Sequence, residues 1–195
     1  ILDKVRKTVH EIDRLTWEGD KVTGEENHIW NVSTSDLMGD YELFGEKALE
    51  FLENANARPE LDYDIRLGYI GVPPICCDLY SFLGKLRVHV VFNEVQRQFS
   101  MPYHTHTLTE QYLLYTYPFD VFFHIKDIQK EIEVRKIDGI IHYVQSFCHR
   151  QIYDRLIRKY ITIPILTLDC DQPGRLSGSM RTRIEAFIEM LKRIK

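Results

Sequence analysis

The chain has 195 residues, enough for one sizeable hydrophobic core and at most a small second unit. Its 25 basic residues against 29 acidic ones leave a net charge of −4 at pH 7, which offers no cationic face to a nucleic-acid backbone. No apolar run approaches the ~20 residues of a membrane span, and the opening ILDKVRKTVHEIDRL is charged and amphipathic, unlike a signal peptide.

A cytoplasmic protein with no membrane or nucleic-acid partner is therefore expected. Because the sequence opens on Ile1 instead of methionine, it reads as a cut domain or proteolytic piece of a longer chain. Its four cysteines do not resemble a secreted disulfide framework, so packing, metal binding or redox chemistry are the roles open to them.

Leu2, Val5, Val9 and Ile12 recur at helical spacing and predict a lead-in helix that ends where Trp17 to Gly19 breaks the pattern. From Asp20 to Met38 the chain is polar and reads as irregular. Tyr41, Phe44, Ala48, Phe51 and Leu52 then mark a second amphipathic helix, and Asn54 to Pro59 a linker. This divides the chain into a helical lead-in and linker over 1–60 and an α/β domain over 61–195.

From Asp62 onward, short β-rich apolar runs alternate with helical periods, the texture of parallel strands joined by crossover helices. IRLGYIG (65–71) is the first strand. Pro73 and Pro74 suit the start of a helix that turns Ile75, Leu79, Phe82 and Leu83 inward. RVHVVFNEV is the second strand. Thr107 and Glu110 have capping-box spacing ahead of LTEQYLLYTY, and Phe122, Ile125, Ile128 and Ile132 mark a further helix.

DGIIHYVQSF is the third strand, followed by a helix presenting Ile152, Leu156 and Ile157. IPILTLD is the fourth, and a closing helix carries Ile184, Phe187, Ile188 and Leu191. The fold predicted is α/β: a Rossmann or flavodoxin-like doubly wound parallel sheet of about four strands, in the order 2-1-3-4, with a helical N-terminal lead-in.

In open parallel sheets, ligands sit beyond the carboxyl ends of the strands, where the strand order reverses. Cys76 and Cys77 fall after the first strand at the predicted helix start, Cys148 after the third and Cys170 at the end of the fourth. Cys148 would then face the loop of Cys76 and Cys77, and a soft-metal or iron–sulfur site becomes one reading. Burial as small hydrophobes is the other.

His104 and His106 could supply two zinc ligands or sit in a surface turn. The loop after the fourth strand, with Arg181 in the helix behind it, could dock an anion or form a solvated turn. No GxGxxG, Walker A or nucleophile elbow is present.

The run IDGIIHYVQSFCHRQIYDRLIRKY (137–160), continuing as IPILTLDCDQPGRLSGSMRTRIEAFIEML (163–191), resembles the C-terminal domain of the 2-hydroxyacyl-CoA dehydratase and benzoyl-CoA reductase family. The lead-in helix, the Gly24 to Asp40 segment and the first strand match in order, so nearly the whole chain is covered. The resemblance implies a subunit with a [4Fe–4S] cluster on three cysteines, fed single electrons by an ATP-dependent activator protein and paired with a homologous subunit. It also implies an acyl-CoA substrate that loses water through a ketyl radical, the chemistry of a lyase.

By the same resemblance, Cys148 is the cluster ligand after the third strand; Ser146 and Arg181 are the candidate substrate- or anion-binding residues. The family's second cysteine would follow the second strand, where this chain has Val95 and Gln96. Either Cys76 or Cys77 replaces it, or Glu94 or Gln96 contributes an oxygen, or the ordinary cluster is lost. The implied function is thus the C-terminal domain of an iron–sulfur dehydratase-like subunit; the alternative is a non-catalytic scaffold or electron-transfer partner that keeps the fold.

Overall fold

The structure is a computed structural model that describes residues 2–115 and 120–195. Helix α1 (Leu2–Trp17) buries Val5, Val9 and Ile12 of the predicted stripe, and Leu15 besides, against Phe44, Ala48 and Ala55 of α3 (Tyr41–Asn56), while Leu2 stays exposed. Between them lies a helix the sequence reading missed. α2 (Gly24–Ser33) occupies the stretch expected to be irregular and opens on a full capping box, in which Thr23 and Glu26 satisfy each other's backbone N–H.

The buried residues of α2 are Gly24, Asn27 and Asn31, so it has no apolar period to find. A Cβ on Gly24 would lie 2.6 Å from Val90 Cβ, which shows how closely this helix approaches the sheet.

Four strands, β1 (Ile65–Gly71), β2 (Val88–Asn93), β3 (Gly139–Val144) and β4 (Ile165–Asp169), form one all-parallel sheet in the order β2-β1-β3-β4, as predicted. On one face pack α4 (Leu79–Lys85) and α9 (Gly178–Ile194). Leu79, Phe82, Leu83, Ile184, Phe187, Ile188 and Leu191 close there over Leu67, Tyr69, Ile141, Tyr143 and Leu168. On the other face, α7 (Val121–Arg135) and α8 (Asp154–Tyr160) bring Ile125, Ile128 and Ile157 against Ile70, Val91, Phe92 and Ile140. Each such fully buried side chain contributes roughly 1.5–3 kcal/mol of transfer free energy, which makes this doubly covered sheet the main core.

Three boundaries differ from the sequence reading. No helix starts at Pro73 and Pro74: the chain runs on after β1, makes a parallel bridge between Cys76 and Gly174, and turns helical only at Leu79. β2 stops at Asn93, and Glu94 and Val95 open a short helix, α5 (Glu94–Phe99). β3 stops at Val144, which leaves Phe147 exposed in the loop beyond it, and Ile152 sits exposed in a 3₁₀ turn before α8. The Thr107–Glu110 capping box is present at the head of α6 (Leu108–Leu114), while Thr116 and Tyr117 at the end of the predicted LTEQYLLYTY helix lie outside the described residues. No helix among the described residues is long and apolar enough to cross a membrane.

The lead-in is fastened to the sheet by buried charge. Arg135 at the end of α7 donates from Nη2 and Nη1 to both oxygens of Asp13 on α1 (2.6 and 3.0 Å), from Nε to Glu131 (2.6 Å), and from Nη1 to the carbonyl of Val91 on β2 (2.8 Å). Asn27 of α2 donates to the same Asp13 at 2.8 Å. Desolvation opposes ionisation of Asp13, but the charge and hydrogen bonds of Arg135 outweigh it and hold the carboxyl below its ordinary value of 3.8.

Truncating one partner of such a pair strands the other in the interior, so Asp13→Ala is expected to cost about 3–5 kcal/mol in urea denaturation. The sign of the pH effect follows from the lowered native value. The contribution of Asp13 is full above its unfolded value of 3.8 and is lost as pH falls through the lower folded value, so the wild-type advantage over the variant shrinks in acid.

Candidate functional site

The connection from β1 leads to β2 on one side, and the next crossover returns past β1 to β3 on the other, so the strand order reverses between the tips of β1 and β3. A crevice opens there, walled by Gly71 at the end of β1 and Val72 just after it and by His142, Cys148, Arg150 and Tyr153 from β3 and the chain beyond it, with His124 of α7 behind. Gly71 is the hinge of this geometry. Its φ of +92° is a left-handed value, and a Cβ there would lie 2.2 Å from the carbonyl oxygen of Tyr143. The same Cβ would approach Cδ2 of the buried His142 to 3.1 Å, so glycine spares the imidazole a close contact on that edge.

The other edge of His142 is held. Its Nδ1 lies 2.8 Å from Oδ1 of Asp154, the first residue of α8. Thr167 donates to Asp154 Oδ1 at 2.6 Å and Arg158 donates to Oδ2 at 2.8 Å. These hydrogen bonds, His142's first, outweigh desolvation and keep Asp154 well below the usual carboxylate range. An ionised carboxylate only accepts, so the Nδ1 of a neutral His142 carries the proton and Nε2 is the free base. The arrangement is a proton acceptor of fixed tautomer within the C-terminal half of β3.

Behind it, His124 Nε2 stands 2.8 Å from Glu94 Oε1, a close ion pair when the imidazole is protonated. Burial disfavours the charged imidazole, but the adjacent Glu94 carboxylate outweighs burial and raises the His124 pKa above 6.5.

The sequence-derived residues are dispersed. Cys148 is half-buried and lines the crevice on the α7 and α8 side. Cys76 is buried in the core on the opposite, α4 and α9 face, with its sulfur 3.5 Å from that of Cys170, and Cys77 is exposed. The loop path after β1, which follows the β4 loop in place of starting a helix, carries Cys76 and Cys77 to that face. Glu94 and Gln96 are fully buried in α5: Glu94 meets His124, and Gln96 Nε2 lies 2.9 Å from Nδ1 of His28, an imidazole that burial pushes down to about 4.

Ser146 is tied through its N–H and hydroxyl to Asp171, and Arg181 to Asp78 and the carbonyl of Leu176, so both brace loops. His104 stacks edge-on to His10, with 6.2 Å between ring centroids.

These positions test the cluster that the sequence resemblance implies. A four-iron cluster needs several converging thiolates. Among the described residues no three His, Cys, Asp or Glu side chains converge as a metal-holding group. The described residues of this chain do not by themselves fit the cluster.

His142, Asp154, His124 and Arg150 were not singled out from the sequence. The one legible signal was a histidine in the middle of GIIHYV, a strand otherwise apolar and buried on both faces, where a polar side chain needs a dedicated partner.

Among known proteins, a family model described as 2-hydroxyglutaryl-CoA dehydratase, D-component, matches residues 1–191 of the 195. No curated protein matches the chain.

The hydrogen bond from Nδ1 gives a direct spectroscopic prediction. Two-bond ¹H–¹⁵N spectra should show neutral His142 with its proton on Nδ1 in the wild type, and Asp154→Ala should move the ring to the Nε2–H tautomer. An unchanged tautomer in the variant would remove Asp154 as the orienting group.

Proposed function

The chain belongs to the 2-hydroxyglutaryl-CoA dehydratase D-component family, a 2-hydroxyacyl-CoA dehydratase-like subunit by that membership, and from this premise we propose that it is the proton-handling part of a cytoplasmic lyase of this type. It works beside a homologous subunit that carries the iron–sulfur cluster and an ATP-dependent activator that supplies the electron. The observation that carries the reading is the His142–Asp154 pair, which opens on the switch-point crevice beside a single thiol.

Expelling water from a 2-hydroxyacyl thioester removes one C–H proton and protonates one leaving hydroxyl, so a positioned acceptor and donor must both reach the acyl group. An iron–sulfur cluster held by the partner would supply low-potential electron chemistry. This chain's residues do the rest. His142 Nε2 takes a proton from the acyl group and can return it to the hydroxyl, while Asp154 keeps the ring in the required tautomer and stabilises its charged form. Val72 and Ile157 make the inner wall apolar, which limits water at the reacting centre. Docking of a homologous subunit over the mouth is supported by Phe147 and Ile152, which bracket Cys148 and stand 77 % and 69 % exposed.

A second reading keeps Cys148 as one ligand of a cluster whose other ligands come from a different polypeptide. Its half-exposed place at the mouth favours this. The two readings share the fold and differ in what Cys148→Ala does to iron bound in the assembled complex: no change in the first, loss in the second.

Dehydration of a 2-hydroxyacyl-CoA by the complex with activator and ATP tests the proposal. His142→Gln should lower kcat by roughly 10²–10⁴-fold at unchanged iron content. Turnover within threefold of wild type would remove His142 from the chemistry, and absence of dehydration by the wild-type complex would remove the lyase reading itself.

A further inference from the structure

Three of the four thiols do not line the crevice, and two of these meet elsewhere. Cys76, in the loop after β1, and Cys170, just after β4, bring their sulfurs to 3.5 Å across the opposite face of the sheet. The backbones that carry them are already fastened together. Cys76 forms a parallel bridge with Gly174, the N–H of Cys77 donates to the carbonyl of Gly174 at 2.8 Å, and the N–H of Gly174 reaches the carbonyl of Ile75 at 3.4 Å. On the Cys170 side, its N–H donates to Val144 and its carbonyl accepts from the Tyr143 hydroxyl at 3.1 Å. A disulfide bond is about 2.05 Å long, so about 1.5 Å separates the pair from bonding distance, a gap that side-chain rotation can close without parting the loops.

We infer that Cys76 and Cys170 form a reversible dithiol–disulfide site whose oxidant is a low-molecular-weight disulfide. The two sulfurs differ in a way that orders the steps. Cys170 is half-exposed and Cys76 is buried. The Cys170 thiolate attacks the small disulfide, breaks its S–S bond and releases one small thiol, which leaves a mixed disulfide on Cys170. Cys76 then loses its proton to solvent and attacks the Cys170 sulfur, displacing the second small thiol. Two protein thiols become one disulfide and one small disulfide becomes two thiols, so electrons and protons balance.

Burial pushes the Cys76 thiol up to about 11, with the hydrogen bond to Cys170 adding to the effect, which makes the second step the slower one and accelerates it as pH rises. The closed bond ties the β4 loop to the loop whose first residues, Gly71 and Val72, wall the crevice. It would therefore stiffen that wall. This inference does not rest on the dehydratase reading.

The test exposes the purified chain to oxidised glutathione at mildly alkaline pH, followed by acid quench, alkylation of free thiols and peptide mapping. The expected result is loss of two free thiols and the mass of two hydrogens, with Cys76 joined to Cys170. Cys77→Ser should leave this bond intact, because Cys77 is not part of the pair. Cys76→Ser should instead hold a glutathione adduct on Cys170. Both thiols remaining free, glutathione captured on Cys170 of the wild type with no link to Cys76, or a link that uses Cys77 would each overturn the inference.

Discussion

Parallel strands must be joined by crossovers, and where successive crossovers leave in opposite directions the tips of two neighbouring strands are left uncovered. In this protein that place is the pair β1 and β3. The other features of the site follow from it. Gly71 is needed where β1 presses against the carbonyl of Tyr143, His142 is presented from the C-terminal half of a strand buried on both faces, and the chain after Val144 supplies Cys148 and Arg150 to the rim. Because side chains alternate across a strand, Tyr143 turns to the α4 and α9 face while His142 turns to the face of α7 and α8. The cysteines are divided by the same alternation and by the loop paths that extend it.

A second constraint lies in α5. This six-residue helix buries Glu94, Gln96, Arg97 and Gln98 as well as Val95. Arg97 pairs with Asp127 at 2.6 Å, Glu94 faces His124, and Gln96 reaches His28. Together with Arg135, Asp13 and Asn27, these groups form a polar layer between the lead-in helices, the sheet and α7. Such a layer is costly if broken and confers registry when complete. It also occupies the position after β2 where the family resemblance places a second cysteine, so Val95 and Gln96 at that position serve packing and hydrogen bonding.

The sheet was legible in the sequence because its strands are short apolar runs bounded by glycine, proline and helical periods, and because crossover handedness leaves few orders open. The buried stripe of α9, from Ile184 to Leu191, and the capping box at Thr107 could be read for the same local reasons. What could not be read was structure stabilised by polar burial. α2 hides behind Asn27 and Asn31, and α5 behind glutamine and glutamate, since an apolar period is the signal for an amphipathic helix and neither has one. The helix expected at Pro73 fails for a tertiary reason, the bridge from Cys76 to Gly174 nearly a hundred residues away. At the site, Cys148 was visible as a residue at a strand tip. Its separation from Cys76 and the pairing of His142 with Asp154 depend on loop paths and strand facing that no spacing encodes.

Membership in the dehydratase family and the lack of a converging thiolate set among the described residues are compatible if the electron carrier sits on another polypeptide and this chain handles protons. The claim on which this rests is that Cys148 has no sulfur partner within its own chain. Anaerobic reconstitution of the purified chain with ferrous iron, sulfide and a thiol reductant measures this directly. The account predicts far less than one cluster per polypeptide and no thiolate-to-iron charge-transfer absorption. A stable complement of four irons per chain that disappears in Cys148→Ala would contradict it.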